Sequence, residues 1–145
     1  MEINLSLTLP RDELSIPVVR HICKDALSTC GVERESIHAI ELALSEACSN
    51  VLKHSDVSDE YEVHATIDGQ RCVIRVVDTG RGFDHDSLAL DGADGTAEGG
   101  RGITLMRALI DDVHFESEPQ AGTVVCLVKE LDYVEQAPIL KLSSS

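Results

Sequence analysis

Tryptophan is absent, and two tyrosines and two phenylalanines are the only aromatic side chains among 145 residues. A core without large rings has to be filled by Leu, Ile, Val and Ala, which favours helices packed on a sheet. Positive charge is scarce too: 12 Lys and Arg stand against 26 Asp and Glu, a formal net charge of -14. So negative a surface repels nucleic-acid phosphates and anionic lipid headgroups, so neither DNA nor membrane is expected as a direct partner. Basic proteins, or an anion held together with a divalent cation, remain compatible with it.

Long apolar runs are missing as well. No stretch approaches the roughly 18 residues needed to cross a bilayer. The start, Met1-Glu2-Ile3-Asn4-Leu5-Ser6-Leu7, has neither the basic opening nor the apolar segment of a signal peptide. The expected location is the cytoplasm. The five cysteines, Cys23, Cys30, Cys48, Cys72 and Cys126, form no close pair at metal-ligand spacing and read as small buried apolar groups.

What is present is 43% hydrophobic residues and 26% charged, enough for one core. One domain is expected over 1–133, followed by a flexible tail over 134–145 with no element of its own. Ile3, Leu5, Leu7 and Leu9 alternate with polar residues as an edge strand ended by Pro10. Leu14, Val18, Ile22 and Leu27 space a first helix to Cys30, with Gly31 as its stop. The stripe Ile37, Ile40, Leu44, Ala47, Cys48 and Val51 predicts a second helix over Glu33 to His54. Runs at 61–67 and 72–77 flank Asp68-Gly69, a hairpin signal. The Gly, Asp and Ala-rich stretch from Phe83 to Gly100 reads as a mobile lid. A third helix from Ile103 to Asp111 buries Ile103, Met106 and Ile110, and strands near 113–117 and 123–131 turn at Gln120-Ala121-Gly122. The fold class is α+β: a two-layer α/β sandwich with a mixed, mostly antiparallel sheet and helices on one face.

Three short constellations carry chemistry. Glu46 and Asn50 sit one helical turn apart beside Ala39 and Ala43. A carboxylate there can accept a proton, and an amide oxygen is a hard ligand suited to Mg2+. The second is Val76-Val77-Asp78-Thr79-Gly80-Arg81-Gly82, an apolar strand tipped by an acid that can accept the exocyclic amine of adenine, with glycines leaving room for a flat ring. The third, Gly99-Gly100-Arg101-Gly102-Ile103, leads glycines into a helix whose free N–H groups suit an anion. Taken singly, each has an ordinary alternative: a solvated helix face, an Asp-x-Gly turn, a hinge. The P-loop and dinucleotide-binding glycine patterns are absent, as are the catalytic loop and Asp-Phe-Gly of eukaryotic-type kinases.

In that order and spacing, the three resemble the N, G1 and G2 boxes of the GHKL ATPase superfamily, from about Glu33 to Leu131. Leu44-Ser45-Glu46-Ala47-Cys48-Ser49-Asn50, Met106-Arg107-Ala108-Leu109-Ile110-Asp111-Asp112-Val113 and Gly122-Thr123 are similar to the stand-alone anti-sigma factor serine/threonine kinases. The resemblance implies the Bergerat ATP-binding fold and Mg2+-dependent ATP binding. It implies that Asn50 holds the Mg2+ bridging the phosphates, and that Asp78 binds the adenine amine with Thr123 beside it. Gly80, Gly82, Gly100 and Gly102 shape the pocket, Arg101 and Lys53 neutralise phosphate charge, and Glu46 serves as general base. The implied partners are a sigma factor that is sequestered and a STAS-type anti-anti-sigma protein that is phosphorylated, with a homodimer paired through the first strand and helix. A regulatory module whose ATP site only sets its shape, and a kinase of the same fold that activates a phosphatase, are the alternatives. One departure is Ile103, where many relatives have Leu or Phe after the third box.

Overall fold

Alternation along the strands fixes which side of the sheet is covered. A computed structural model describes residues 1–54, 60–78, 98–118 and 122–143. Its elements are β1 (Ile3–Pro10), α1 (Ser15–Cys30), α2 (Arg34–His54), β2 (Glu60–Ile67), β3 (Arg71–Asp78), α3 (Glu98–Leu109), β4 (Asp112–Glu118), β5 (Gly122–Glu130) and α4 (Pro138–Ser143). Among the described residues the five strands lie in the order β1-β2-β3-β5-β4, and each neighbouring pair is antiparallel. β1 occupies one edge, as its Pro10-terminated pattern predicts, and β4 the other.

Tyr61, Val63, Ala65 and Ile67 of β2 and Cys72, Ile74 and Val76 of β3 point into the core, while Glu62, His64 and Arg75 lie on the opposite face. Helices cover the inward face: α2 packs against α1 and α3 and touches β3 and β5. All six stripe residues of α2, from Ile37 to Val51, are buried, as a one-sided helix on a sheet requires.

Helix α1 corrects the expected stripe. Its buried residues are Ser15, Val19, Cys23, Leu27 and Cys30. Leu14, Val18 and Ile22 are 77%, 50% and 37% exposed. Successive residues are about 100° apart on a helix, so the two stripes are adjacent, and the smaller side chains face the tightly packed α2. The end of α1 follows expectation: Gly31 takes a left-handed φ of 92°, and the N–H groups of Gly31 and Val32 donate to Ser28 and Leu27.

Helix α3 begins at Glu98, ahead of the expected Ile103, so Gly99, Gly100 and Gly102 lie within it. Glycine weakens a helix but does not forbid one, and Met106 and Ile110 are buried as expected. The expected lid lies outside the described residues up to 97, and its last three residues belong to α3. Residues 120 and 121 of the expected final turn also lie outside them, whereas Gly122 already pairs with Glu118.

The segment after Leu131 is not devoid of structure. Tyr133 bridges to Val32, and its hydroxyl donates to the Asp68 carbonyl. Ala137 and Ile139 are fully buried, the latter in α4. A side chain at Gly31 would meet Cβ of Ala137 at 2.5 Å and its Cα at 2.8 Å. Gly31→Ala combines that collision with a left-handed backbone. It is expected to lower stability by about 2 kcal/mol or more, read as a lower urea midpoint; an unchanged midpoint would show that the tail does not press on this corner.

The five cysteines are free and buried. Burial pushes the thiol of Cys23 up to about 11 and those of Cys48 and Cys72 to about 12, so they behave as apolar filling. No described helix is long and apolar enough to cross a membrane.

Candidate nucleotide site

The register of the sheet sets up one end of the site. Leu9 pairs with Tyr61, Tyr61 with Asp78, and Asp78 with Thr123, one row across β1, β2, β3 and β5. Asp78 is the last residue of β3 and points to the helix side, fully buried. A carboxylate is rarely buried without partners, because desolvation costs it several kcal/mol. One partner is Arg11, whose Nη1 lies 3.4 Å from Asp78 Oδ1, with side chains 9% and 0% exposed. Nη2 of the same guanidinium donates to the Val51 carbonyl at 2.6 Å. That carbonyl lies in the last turn of α2, where backbone acceptors lack intrahelical donors and a cation suits the helix dipole.

Arg11 therefore ties the end of β3 to the end of α2, one residue beyond Asn50. Asn50 is 1% exposed, and among the described residues its amide nitrogen Nδ2 has no hydrogen-bond partner. Buried amides are nearly always satisfied, which makes Asn50 a candidate for contact with a ligand. Its carboxamide supplies the hard oxygen that Mg2+ prefers. Glu46, one turn earlier on α2, is partly exposed, with fully buried Ala43 and Ala47 beside it. Gly100, Arg101 and Gly102 lie in the first turns of α3, which packs on α2. The first turn leaves its N–H groups without intrahelical acceptors.

Neighbouring hydroxyls steady this corner. Tyr61, fully buried, hydrogen bonds Ser15 Oγ at 2.5 Å, and Ser15 Oγ donates to the Asp12 carbonyl at 2.7 Å. Burial pushes the Tyr61 phenol up to about 12, so it stays a neutral donor.

Among the residues singled out by sequence, the structure brings the Asn50 end of α2 to Asp78, with Thr123 next to Asp78 in register. Lys53 stands apart. It lines a groove of about 460 Å³ between α2 and the start of α1, with Arg11, Arg20, Ser45 and Ser49, and neither Glu46 nor Asn50 lines that groove. Gly80 and Gly82 lie outside the described residues. Arg11 was not legible beforehand: it belongs to no motif, and its carbonyl partner lies 40 residues away.

Comparison with known proteins agrees with this fold. Residues 9–129 match the histidine kinase-like ATPase domain. The chain is 27% identical over 139 residues to the serine-protein kinase RsbW of Bacillus velezensis, covering 88% of this chain and 86% of that one. It is 31% identical over 106 residues to the anti-sigma F factor of a Thermoanaerobacter species, covering 66% and 71%. Among solved structures, the RsbU and RsbW domains of a Mycobacterium tuberculosis protein superpose with a TM-score of 0.68 at 21% identity, over 89% of this chain and 32% of that one. A histidine kinase domain from Erythrobacter litoralis superposes at 0.52 and 17% identity, over 92% and 65%. With the match spanning nearly the whole α/β layer pair, the chain belongs to the histidine kinase-like ATPase domain family.

Proposed function

We propose that this chain is an ATP-dependent protein serine/threonine kinase that sequesters a sigma factor and phosphorylates a STAS-type anti-anti-sigma protein. The observation that carries the reading is the juxtaposition of the Asn50 end of α2 with buried Asp78 through Arg11, in a chain whose relatives are named serine-protein kinase and anti-sigma factor. The site occupies a single domain, against which the segment after Leu131 packs through Ala137 and Ile139.

Asp78 accepts a hydrogen bond from the adenine amine, with Thr123 at its side. Gly80, Gly82, Gly100 and Gly102 give the nucleotide close access to the backbone, and the α3 N–H groups face its phosphates. Asn50 offers its amide oxygen to Mg2+, which when bound offsets phosphate charge. Arg101 adds positive charge, and Lys53 does so from the neighbouring groove. Glu46 takes the proton from the acceptor hydroxyl as its oxygen bonds to the γ-phosphorus and the bond to the ADP oxygen breaks.

Protein partners have a surface to meet. Leu14 at the cap of α1, with Val18 and Ile22 within it, forms an exposed apolar stripe, and such stripes suit docking. Arg20 lies on the same helix, in a chain whose acidity favours a basic sigma factor. The open edge of β1, next to α1 in sequence, is where a second copy pairs to form a homodimer. The setting is cytoplasmic, and the chain contacts neither DNA nor membrane directly.

The test is transfer of labelled phosphate from Mg-ATP to a purified STAS protein encoded beside a sigma factor, followed by release of that sigma factor from the kinase. Labelled STAS protein is the expected product. Magnesium-dependent partner exchange with no phosphoprotein would replace the enzyme with a module that ATP merely shapes.

A further inference from the structure

Arg11 does something that the motif residues do not. It is a nearly buried cation in a chain of net charge -14, and it touches both poles of the proposed site: the carboxylate of Asp78 and, through Val51, the helix end that carries Asn50. Stability alone does not call for it, since an apolar pair of similar volume does as well as a buried ion pair. What an apolar pair lacks is direction. One arm of the planar guanidinium donates to the Val51 carbonyl while the other faces the Asp78 carboxylate as an ion pair at 3.4 Å, a spacing that a lysine ammonium does not reproduce.

The backbone beneath it is fixed as well. The Asp12 N–H donates to the Pro10 carbonyl at 2.8 Å, the Leu14 N–H to Asp12 Oδ1 at 2.9 Å, and the Ser15 N–H to the Asp12 carbonyl at 2.8 Å. The fork thus projects from a short, hydrogen-bonded joint between β1 and α1.

We propose that Arg11 is a positioning residue for nucleotide recognition, aiming the Asp78 carboxylate at the exocyclic amine of adenine while braced on the Val51 carbonyl of α2. The inference rests on the reading of Asp78 as the adenine acceptor. Arg11 itself touches no nucleotide; it acts through Asp78 and α2. Its effect falls on the part of the affinity that comes from the amine, and the phosphate end is spared.

The experiment compares calorimetric titrations of the full chain with Mg-ATP and with purine riboside triphosphate, which is ATP without the 6-amino group. The wild type is expected to prefer ATP by about tenfold or more, the value of a hydrogen bond to a charged acceptor. Arg11→Met is expected to bring that ratio close to one and to change affinity for the amine-free analogue by less than about threefold. A role confined to folding would lower both affinities in parallel. That result, or an unchanged ratio in a folded Arg11→Met chain, overturns the proposal. If Arg11→Met gives no cooperative thermal transition, Arg11→Lys decides: its ammonium keeps the charge but lacks the fixed spacing of the fork, so an intermediate ratio supports the proposal and a wild-type ratio overturns it. A wild type that binds both nucleotides equally removes the reading of Asp78 itself, and the role of Arg11 with it; a ratio lost only in the variants leaves that reading standing.

Discussion

Glu46→Gln is expected to bind Mg-ATP within about threefold of the wild type and to transfer phosphate about 10²- to 10⁴-fold more slowly, the usual contribution of a positioned general base. The two side chains have the same shape, and Glu46 is partly exposed on α2, so the exchange leaves no cavity and no buried charge. Only the capacity to take a proton is lost. Asn50 stays one turn away on the same helix, and nothing in the substitution disturbs its buried carboxamide. A single-turnover assay with a STAS acceptor separates the two effects. Transfer at the wild-type rate with normal ATP affinity would take Glu46 out of the chemistry and favour a base supplied by the partner or by water.

Asp78→Asn is expected to act on both binding and folding. It replaces a carboxylate by an amide that no longer accepts through both of its polar atoms, so ATP affinity is expected to fall about tenfold or more. It also deprives Arg11 of its counter-charge in a place where that guanidinium is 9% exposed. Breaking a buried pair from one side costs about 3 kcal/mol or more. Chemical denaturation and calorimetry together check the forecast: the urea midpoint drops, and the ATP titration flattens at temperatures where the variant is still folded. Normal stability with lost binding would mean that Arg11 finds another acceptor. Normal binding would place adenine recognition elsewhere.

The parts of this molecule that could be read from its sequence are those in which one face meets the core through local periodicity. Helix α2 is such a case, with six apolar residues on one side and a sheet beneath them. The β2–β3 hairpin is another, because Asp68-Gly69 leaves few ways to turn. Helix α1 misled because it carries two apolar stripes, and only three-dimensional packing decides that Val19 and Cys23 go inside while Val18 and Ile22 stay out. Helix α4 has six residues, too few for a period to show; its place comes from Ala137 pressing on the bare backbone of Gly31. The site divides in the same way. Motif order pointed to Asn50 and Asp78, whose burial gives them their distinctive environment. Arg11, bound to a carbonyl and a carboxylate far along the chain, left no trace in local pattern.

The tight bend between β2 and β3 has a reach beyond its own corner. Asp68 closes it by accepting the N–H groups of Gln70 and Arg71 at 2.7 and 2.8 Å, and those donors hold its carboxyl below the ordinary range. From Arg71, side chains alternate outward and inward up the strand until Asp78 arrives on the helix side, about 24 Å away at the usual rise per residue. Parity, counted from that bend, thus decides what the far rim presents. A single extra residue there, if it slid the strand by one step, would turn Val77 inward and aim the acid at the bare side, disarming the molecule from the opposite end without altering one group that a nucleotide would touch.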